Sequence, residues 1–242
     1  MEKDFEENYH KLESSHWWFL SRRKYVTQLL ENVPKDATIL DIGCSSGHLL
    51  MDMEATGRSK DNLWGIDISP EGIALCQEFG YTNTQVMDAQ NISLSTQFDV
   101  LIASDCLEHL EQDEKALKNW YSLLKPGGKL LVFVPAFMSL WSGHDVVNMH
   151  YRRYTRAELK TKLKAEGFMI KKASYWNFLL FTPVWLIRKL KKEKDLPSGD
   201  LSMPPAPVNA ALKVLISIEN TLLRFLSFPV GVSVFCIAYK PK

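Results

Sequence analysis

The sequence predicts an α/β fold: a doubly wound, mostly parallel sheet of seven strands, with a helical insertion before the last strand. Short apolar segments and amphipathic segments alternate five times along the chain, which is typical of a parallel sheet covered by helices. A glycine-bearing turn follows the first apolar segment. The chain has 242 residues, of which 46% are hydrophobic and 24% charged. This composition fits one such domain with a small additional unit, and it excludes a disordered or collagen-like chain.

The predicted strands are short apolar segments bounded by turn residues. The segment 98–103 is apolar along most of its length, as in a strand that is buried on both faces of a sheet. The seven predicted strands are 38–42, 62–66, 84–87, 98–103, 129–134, 168–174 and 232–239.

The helices are predicted from amphipathic spacing and from capping residues. Ser69 and Pro70 provide an N-cap and a first helical residue, and Thr155 with Glu158 forms a capping box. The predicted helices are 24–32, 49–55, a segment from 70, 113–124 and 155–166, with 178–191 and 209–225 in the insertion. We therefore expect four units: an N-terminal helical lid at 1–36, a core at 37–175, the helical insertion at 176–230 and the final strand at 231–242.

The charge of the chain is balanced in total but uneven along the sequence. The formal net charge is +1, so no global field favours nucleic acid. Residues 151–195 contain 13 Lys and Arg against 4 Asp and Glu, a local charge of +9. Such a basic segment is compatible with an anionic substrate, a lipid headgroup surface or an RNA backbone.

The cysteines and the apolar segments indicate a cytoplasmic protein. Cys44, Cys76, Cys106 and Cys236 form no Cys-x-x-Cys pair, and we expect reduced thiols. The acidic beginning of the sequence is unlike a secretory signal, and the most apolar stretch, 175–187, is too short to span a bilayer.

Carboxylates follow the first three predicted strands. Asp41, Asp67 and Asp88 each stand at a strand end, and the carboxyl ends of parallel strands share one edge of a sheet, where ligands bind. Gly43 and Gly47 in the first turn allow a close backbone approach, although a glycine turn alone is a weak signal. Asp67 lies at the spacing of a carboxylate that accepts both ribose hydroxyls.

Asp41 distinguishes between two classes of adenosine-containing cofactor. A dinucleotide places a pyrophosphate over the first turn, and the Asp41 carboxylate would repel it. S-adenosylmethionine has no phosphate, and it carries an ammonium and a sulfonium. A carboxylate beside the turn attracts such a cation.

These segments together resemble the motifs of class I S-adenosylmethionine-dependent methyltransferases, over roughly residues 37–175. The matching segments are ILDIGCSSG at 39–47, GIDIS at 65–69, MDA at 87–89, FDVLIAS at 98–104 and LLKPGGKL at 123–130. The middle glycine of the family's first motif is Ser45 here, which leaves the backbone geometry of Ser45 open. The resemblance implies a Rossmann-like fold with an antiparallel last strand and S-adenosylmethionine as the cofactor.

The resemblance also implies the roles of ten cofactor-binding residues. Asp41 would hold the methionine ammonium, Asp67 the ribose hydroxyls and Asp88 the adenine amino group. The remaining contacts would be Gly43, Cys44 and Gly47 along the methionine and ribose, Ile68 and Ala89 at the adenine, and Ser104 and Asp105 beneath the sulfonium.

A Glu-His pair, Glu108 and His109, follows the fourth strand. A hydroxyl or protonated amine must lose a proton before it is methylated, and His109 is the candidate general base. The alternative is that His109 caps a helix and closes over the cofactor. Some quinone-pathway relatives use such a pair for a divalent metal, but the sequence shows no complete ligand set, so we predict no metal site.

The loop after the fifth strand is the candidate acceptor site. Its residues, with a tryptophan from the predicted lid, are His144, His150, Arg152, Arg153, Tyr154 and Trp18. Guanidinium groups bind phosphate or carboxylate in a bidentate manner, so this loop could hold an anionic group. It also resembles a segment of methyltransferases from bacterial surface-sugar pathways. A solvated loop is the alternative.

The expected function is methylation of oxygen or nitrogen on a small or lipid-linked acceptor, such as a sugar. The insertion could cover the acceptor, form a homodimer, or contact the inner membrane face peripherally through residues 178–194. An RNA methyltransferase is one alternative, although the residues after the fourth strand lack an Asn-Pro-Pro-Tyr motif and we expect no nucleic-acid partner. A non-catalytic scaffold that binds the cofactor and a dehydrogenase are the others.

Overall fold

The computed structural model describes residues 10–190 and 202–242. The strands are β1 Ile39–Ile42, β2 Leu63–Asp67, β3 Thr84–Val86, β4 Phe98–Ser104, β5 Leu124–Pro135, β6 Met169–Trp176 and β7 Ser233–Tyr239. The helices are α1 Trp17–Leu29, α2 His48–Ala55, α3 Pro70–Glu78, α4 Asp113–Leu123, α5 Gly143–Val147, α6 Arg156–Ala165, α7 Phe181–Leu190 and α8 Ala206–Leu222.

The strands form one sheet in the order β3-β2-β1-β4-β5-β7-β6. Strands β1 to β5 are parallel to one another, and β7 runs antiparallel between β5 and β6. The predicted α/β class, with its seven-stranded, mostly parallel sheet, is confirmed. Because β1 to β5 point the same way, the residues that follow them meet at one edge of the sheet.

Both faces of the sheet are covered. Leu101 and Ala103 of β4 belong to one apolar cluster, and Val100 and Ile102 belong to a second cluster on the opposite face. All four side chains are buried. This alternation explains why the strand reads as a continuous apolar run in the sequence.

Helix α1 begins at Trp17, before the predicted start at residue 24. His16 caps the helix, since its Nδ1 accepts a hydrogen bond from the Trp18 amide at 3.2 Å. Asn209 Oδ1 accepts from the Trp17 amide at 2.8 Å. A histidine cap and a partner from distant α8 leave no local signal, which is why the prediction misplaced this helix start.

The loops around β5 also differ from the prediction. The predicted turn at 126–128 lies inside β5, because the Gly127 amide donates to the Lys240 carbonyl at 2.9 Å and extends the strand pairing. The short helix α5 was not predicted. Its first turn is held by Asp145, which accepts a hydrogen bond from the Ser142 amide at 2.8 Å.

The insertion supplies α7 and α8, and α8 is tied to β6 and α1 through Asn220. The Trp176 indole donates to Asn220 Oδ1 at 2.8 Å, and Asn220 Nδ2 donates to the Ser21 carbonyl at 3.1 Å. In the parts of the chain that the structure describes, no helix combines the length and apolarity needed to cross a membrane. Residues 1–9 of the predicted lid and 191–194 of the predicted membrane contact lie outside the described residues.

Candidate active site

The turn between β1 and α2 is closed by its own backbone. The amides of Gly43 and Cys44 donate to the Ile66 carbonyl at 2.8 and 3.0 Å. Gly47 has a φ of 80°, and a Cβ there would lie 2.8 Å from Cys76 Sγ, so this position requires glycine. Because the amides of Gly43 and Cys44 already donate within the protein, they offer no cradle for a pyrophosphate.

Ser45 adopts the left-handed conformation that the family's glycine would take, with a φ of 48°. Its amide donates to Asp67 Oδ2 at 2.8 Å, and the Ser69 amide donates to Asp67 Oδ1 at 2.9 Å. The Asp67 carboxylate therefore holds the first turn and the end of β2 together. Each carboxylate oxygen can accept more than one hydrogen bond, so these two bonds leave room for a ligand hydroxyl.

Three carboxylates gather at this edge of the sheet. Asp41 is buried, and burial followed by the charge of Asp67 raises its pKa to about 8. Burial also raises the pKa of the Cys106 thiol, and the charges of Asp67, Asp41 and Asp88 raise it further. All three carboxylates are therefore close enough to act on one thiol. A cationic ligand without phosphate fits this edge better than a dinucleotide does.

The predicted adenine contacts lie beside these carboxylates. The Ile68 side chain is 72% exposed, which leaves an apolar surface for a flat ring. Asp88 Oδ1 accepts from the Gln90 amide at 2.8 Å, and the Ala89 carbonyl accepts from the Trp120 indole at 2.9 Å. The Ala89 carbonyl is therefore engaged within the protein.

Glu13 covers the first turn and was missed by sequence reasoning. Its carboxylate accepts hydrogen bonds from the hydroxyls of Ser45, at 3.2 Å, and Ser46. His10 lies beside it, with Nδ1 at 3.3 Å from Glu13 Oε2. The sequence signal was weak, because a carboxylate 32 residues before the turn belongs to no local motif.

At the end of β4, Asp105 and the half-buried Ser104 stand where the sulfonium is expected. Asp105 has a φ of 55°, and its Oδ2 lies 3.3 Å from Nη1 of Arg22 in α1. The Arg22 guanidinium carbon is 4.2 Å from the ring centroid of Trp176. Trp18 packs edge-on against Trp176 at 4.9 Å, so the predicted substrate residue Trp18 belongs to this aromatic and cationic cluster.

At the candidate acceptor site, around the loop after β5, the structure brings Glu108, His109 and His150 together. Their donor atoms lie within 4.8 Å of one another. The His144 ring is 6.1 Å from the His150 ring. Burial lowers the pKa of His109 to about 3 and that of His144 to about 4. A general base at neutral pH needs a pKa near 7, so this environment disagrees with the predicted role of His109 as the base.

Arg153 and Tyr154, which the sequence analysis places in the candidate acceptor site, have internal partners in the structure. Arg153 is buried, and its Nε and Nη2 donate to the Asp145 carboxylate at 2.7 and 2.9 Å. Tyr154 is also buried, and its hydroxyl donates to Asp113 Oδ2 at 2.9 Å. Arg152 forms an ion pair with Asp113 at 3.0 Å. All three residues therefore have an internal partner, and Arg152 remains partly exposed.

Comparisons with known proteins agree with this geometry. The chain is 30% identical over 115 residues to the ubiquinone biosynthesis O-methyltransferase of Coxiella burnetii, which covers 45% of this chain and 47% of that protein. It is 27% identical over 173 residues to the Xanthomonas axonopodis protein of the same name, covering 63% and 70%. The chain therefore spans about half the length of the first curated relatives it matches.

A solved structure with the same fold is a SAM-dependent methyltransferase from Archaeoglobus fulgidus, with a TM-score of 0.62, 21% identity, and coverage of 96% of this chain and 99% of that one. A family model described as "Methyltransferase domain" matches residues 16–172, well over half of the chain. The predicted resemblance is thereby confirmed, and the chain belongs to the methyltransferase domain family.

Proposed function

We propose that this chain transfers the methyl group of S-adenosylmethionine to a hydroxyl oxygen of a small acceptor that has an apolar, lipid-like tail. The donor half of this proposal is supported by the three carboxylates, Asp41, Asp67 and Asp88, at the carboxyl edge of the sheet. The donor carries an ammonium and a sulfonium, and both cations are attracted by these side chains. The closed first turn disfavours the dehydrogenase alternative.

In the proposed complex, the Asp67 carboxylate accepts the ribose hydroxyls while it keeps the first turn in place. Ile68 packs on the adenine, and Asp41 faces the methionine ammonium. Glu13 adds a fourth carboxylate beside the first turn. The predicted contacts at the glycine turn and at the end of β4 keep the roles that the family resemblance implies.

The apolar character of the proposed acceptor rests on one observation, an exposed apolar rim beside the loop after β5, which is the candidate acceptor site. Met138, Val146 and Met149 are all more than half exposed and belong to the segment that follows β5. Helix α7 adjoins this segment, since the Arg188 guanidinium donates to the Leu140 carbonyl. Exposed apolar patches of this kind mark binding surfaces for apolar ligands or membranes.

Helix α7 itself supports contact with a membrane surface. No residue of α7 is buried, and Trp185, Leu186, Ile187 and Leu190 are exposed. The Lys189 ammonium lies 4.7 Å from the Trp185 ring centroid. Aliphatic residues with tryptophan and basic residues are typical of helices that lie among lipid headgroups. In this position, α7 would bring the active site to the tail of a lipid-linked acceptor.

Oxygen is the proposed target atom because the matched relatives from Coxiella and Xanthomonas are named O-methyltransferases. In the transfer, the carbon–sulfur bond of the sulfonium breaks as the acceptor oxygen forms its bond to the methyl carbon. S-adenosylhomocysteine leaves, and the hydroxyl proton passes to solvent water. Holding the two reactants in line can contribute roughly 7–11 kcal/mol, which makes positioning the main task of the protein.

The test uses the full chain with methyl-labelled S-adenosylmethionine and a matched pair of phenols, with and without a long apolar tail, in anionic phospholipid vesicles. We expect label on the phenol oxygen, with kcat/KM at least about tenfold higher for the tailed phenol, the effect of burying about two methylene groups. Asp67→Ala should weaken cofactor binding about tenfold or more in calorimetry. Asp61→Ala, at an exposed carboxylate before β2, is the matched control and should bind normally.

Three results would contradict the proposal. Equal rates for both phenols would remove the apolar acceptor class. Label in RNA would favour the RNA methyltransferase alternative, which the internal pairing of Arg152 and Arg153 disfavours. Cofactor binding without label on any acceptor would favour a non-catalytic scaffold.

A further inference from the structure

A cavity of about 470 Å³ lies at the amino-terminal edge of the sheet, opposite to the edge that carries the three carboxylates. This volume is in the range of pockets that hold small molecules. The strand β5 runs for about 20 Å from Lys129 in the cavity to Pro135 beside the acceptor site, so the two places are separate. The apolar part of the lining consists of Leu29, Val33, Pro34, Val100, Pro126 and Ile237.

Two lysines reach Tyr239 in this cavity from the two neighbouring strands. Lys129 of β5 stands directly opposite Tyr239 of β7, and its ammonium is 5.9 Å from the centroid of the Tyr239 ring. Lys171 comes from β6, on the other side of β7, and its ammonium is 5.5 Å from the same centroid. The two ammonium groups therefore converge on one aromatic ring.

A bulge in β6 turns Lys171 toward the cavity. The register with β7 shifts between Ile170 and Lys172, which leaves Lys171 as an extra residue in the strand. In a regular strand, adjacent side chains point to opposite faces. Here the Lys172 ammonium donates to the Leu223 carbonyl while Lys171 reaches Tyr239, and Leu223 and Tyr239 pack in the same apolar cluster. Such bulges redirect a side chain and are typical of functional positions.

The cavity carries an excess of positive charge. Burial, followed by the charges of Lys171 and Arg58, lowers the pKa of Lys129. Among residues 10–190 and 202–242, neither Lys129 nor Lys171 forms an ion pair with a carboxylate. Asp99 lines the cavity, but its carboxylate is already paired with Lys125 at 2.8 Å. An anion placed between Lys129 and Lys171 would relieve their mutual repulsion.

We propose that this cavity binds a small phosphate monoester, with the phosphate held between Lys129 and Lys171 and the organic group against the apolar lining. A phosphate monoester carries a charge of about −1.5 to −2 at pH 7, which matches two ammonium groups, whereas a carboxylate carries one charge. Lysine binds phosphate as a point charge with three donors. The ligand would touch Leu29 at the end of α1, the helix that brings Arg22 to Asp105 in the active site.

Calorimetric titration of the full chain with phenyl phosphate, without methyl donor or acceptor, tests this site. We expect one phenyl phosphate per chain with a Kd below about 1 mM. Inorganic phosphate lacks the organic group and benzoate lacks the second charge, so each should bind at least about tenfold more weakly. No saturable binding of phenyl phosphate, or equal binding of inorganic phosphate, would overturn the proposal.

Substitutions locate the charges that hold the phosphate. Lys171→Gln and Lys129→Met should each weaken the binding of phenyl phosphate at least about tenfold. Lys171 is exposed, so Lys171→Gln remains informative if Lys129→Met does not fold. Lys164→Gln, at an exposed lysine of α6, is the matched control and should bind like the unmodified chain. Equal losses in Lys164→Gln and Lys171→Gln would overturn the assignment of the phosphate to this cavity.

Nuclear magnetic resonance of the methyl groups separates this cavity from the active site. Phenyl phosphate should shift the methyl resonances of Ile237, which lines the cavity, and leave that of Met138 beside the acceptor site unchanged. Saturating S-adenosylhomocysteine should not displace the phenyl phosphate. Displacement, or a shift at Met138 with none at Ile237, would overturn the proposal. The site does not rest on the proposed function, because none of these measurements requires methyl transfer.

Discussion

We predict that Asp41 makes the binding of S-adenosylmethionine depend on pH, in a direction that follows from its surroundings. Burial, and then the charges of Asp67 and Glu13, raise its pKa to about 8 in the cofactor-free chain. At pH 7 its carboxyl group is therefore mostly protonated, with about one tenth ionised. A bound ammonium favours the ionised form, so binding of the cofactor must release a proton.

The size of the effect follows from the same pKa. Between about pH 6 and pH 7, affinity should rise nearly tenfold, because the ionised fraction of Asp41 rises by that factor. The folded chain without cofactor should show the opposite trend. A raised carboxyl pKa means that the folded state holds a proton that the unfolded state has lost, so stability falls as the pH rises from about 4 to about 8.

Calorimetric titration with S-adenosylmethionine at about pH 6 and about pH 7, in buffers of different ionisation enthalpy, measures both affinity and proton release. We expect release of nearly one proton per site. Asp41→Asn should bind weakly at both pH values and release no proton, whereas Asp61→Asn should behave like the unmodified chain. Proton uptake, or equal affinity at the two pH values in the unmodified chain, would refute the reasoning about Asp41.

The sheet could be predicted from the sequence because its signals are local. The strand β4 is a continuous apolar run, and the caps at Ser69 and Thr155 involve residues three positions apart. In the structure the Ser69 hydroxyl accepts from the Gly72 amide at 3.0 Å, and Thr155 forms the predicted capping box with Glu158. Each of these features can be read within one turn of helix or one strand.

The acceptor side could not be predicted in this way, because its partners are distant in sequence or their burial is not encoded locally. His150 lies 41 residues after His109, and the two meet because β5 is the neighbour of β4. The basic residues Arg152 and Arg153 are adjacent, yet Arg153 is buried against Asp145 while Arg152 stays at the surface rim. A basic pair in a loop looks the same in the sequence whether it faces a ligand or an internal carboxylate.

Two further predictions test local geometry. Gly47→Ala should destabilise the chain by more than Gly57→Ala. Both glycines have a positive φ, which costs a residue with a Cβ about 1–2 kcal/mol. At Gly47 the new Cβ would in addition lie too close to Cys76 Sγ. Equal losses in urea unfolding would show that the Cys76 contact is harmless. Glu219 accepts hydrogen bonds from three backbone amides at residues 177–179. Glu219→Ala should therefore lower the free energy of unfolding by about 1–3 kcal/mol, since it leaves the buried amide of Asn177 unpaired and removes the acceptor of two partly buried amides. Thr221 is exposed on the same helix, and Thr221→Ala should change the free energy of unfolding by less than about 0.5 kcal/mol. Similar changes for Glu219→Ala and Thr221→Ala would mean that Glu219 does not hold α8 against the end of β6.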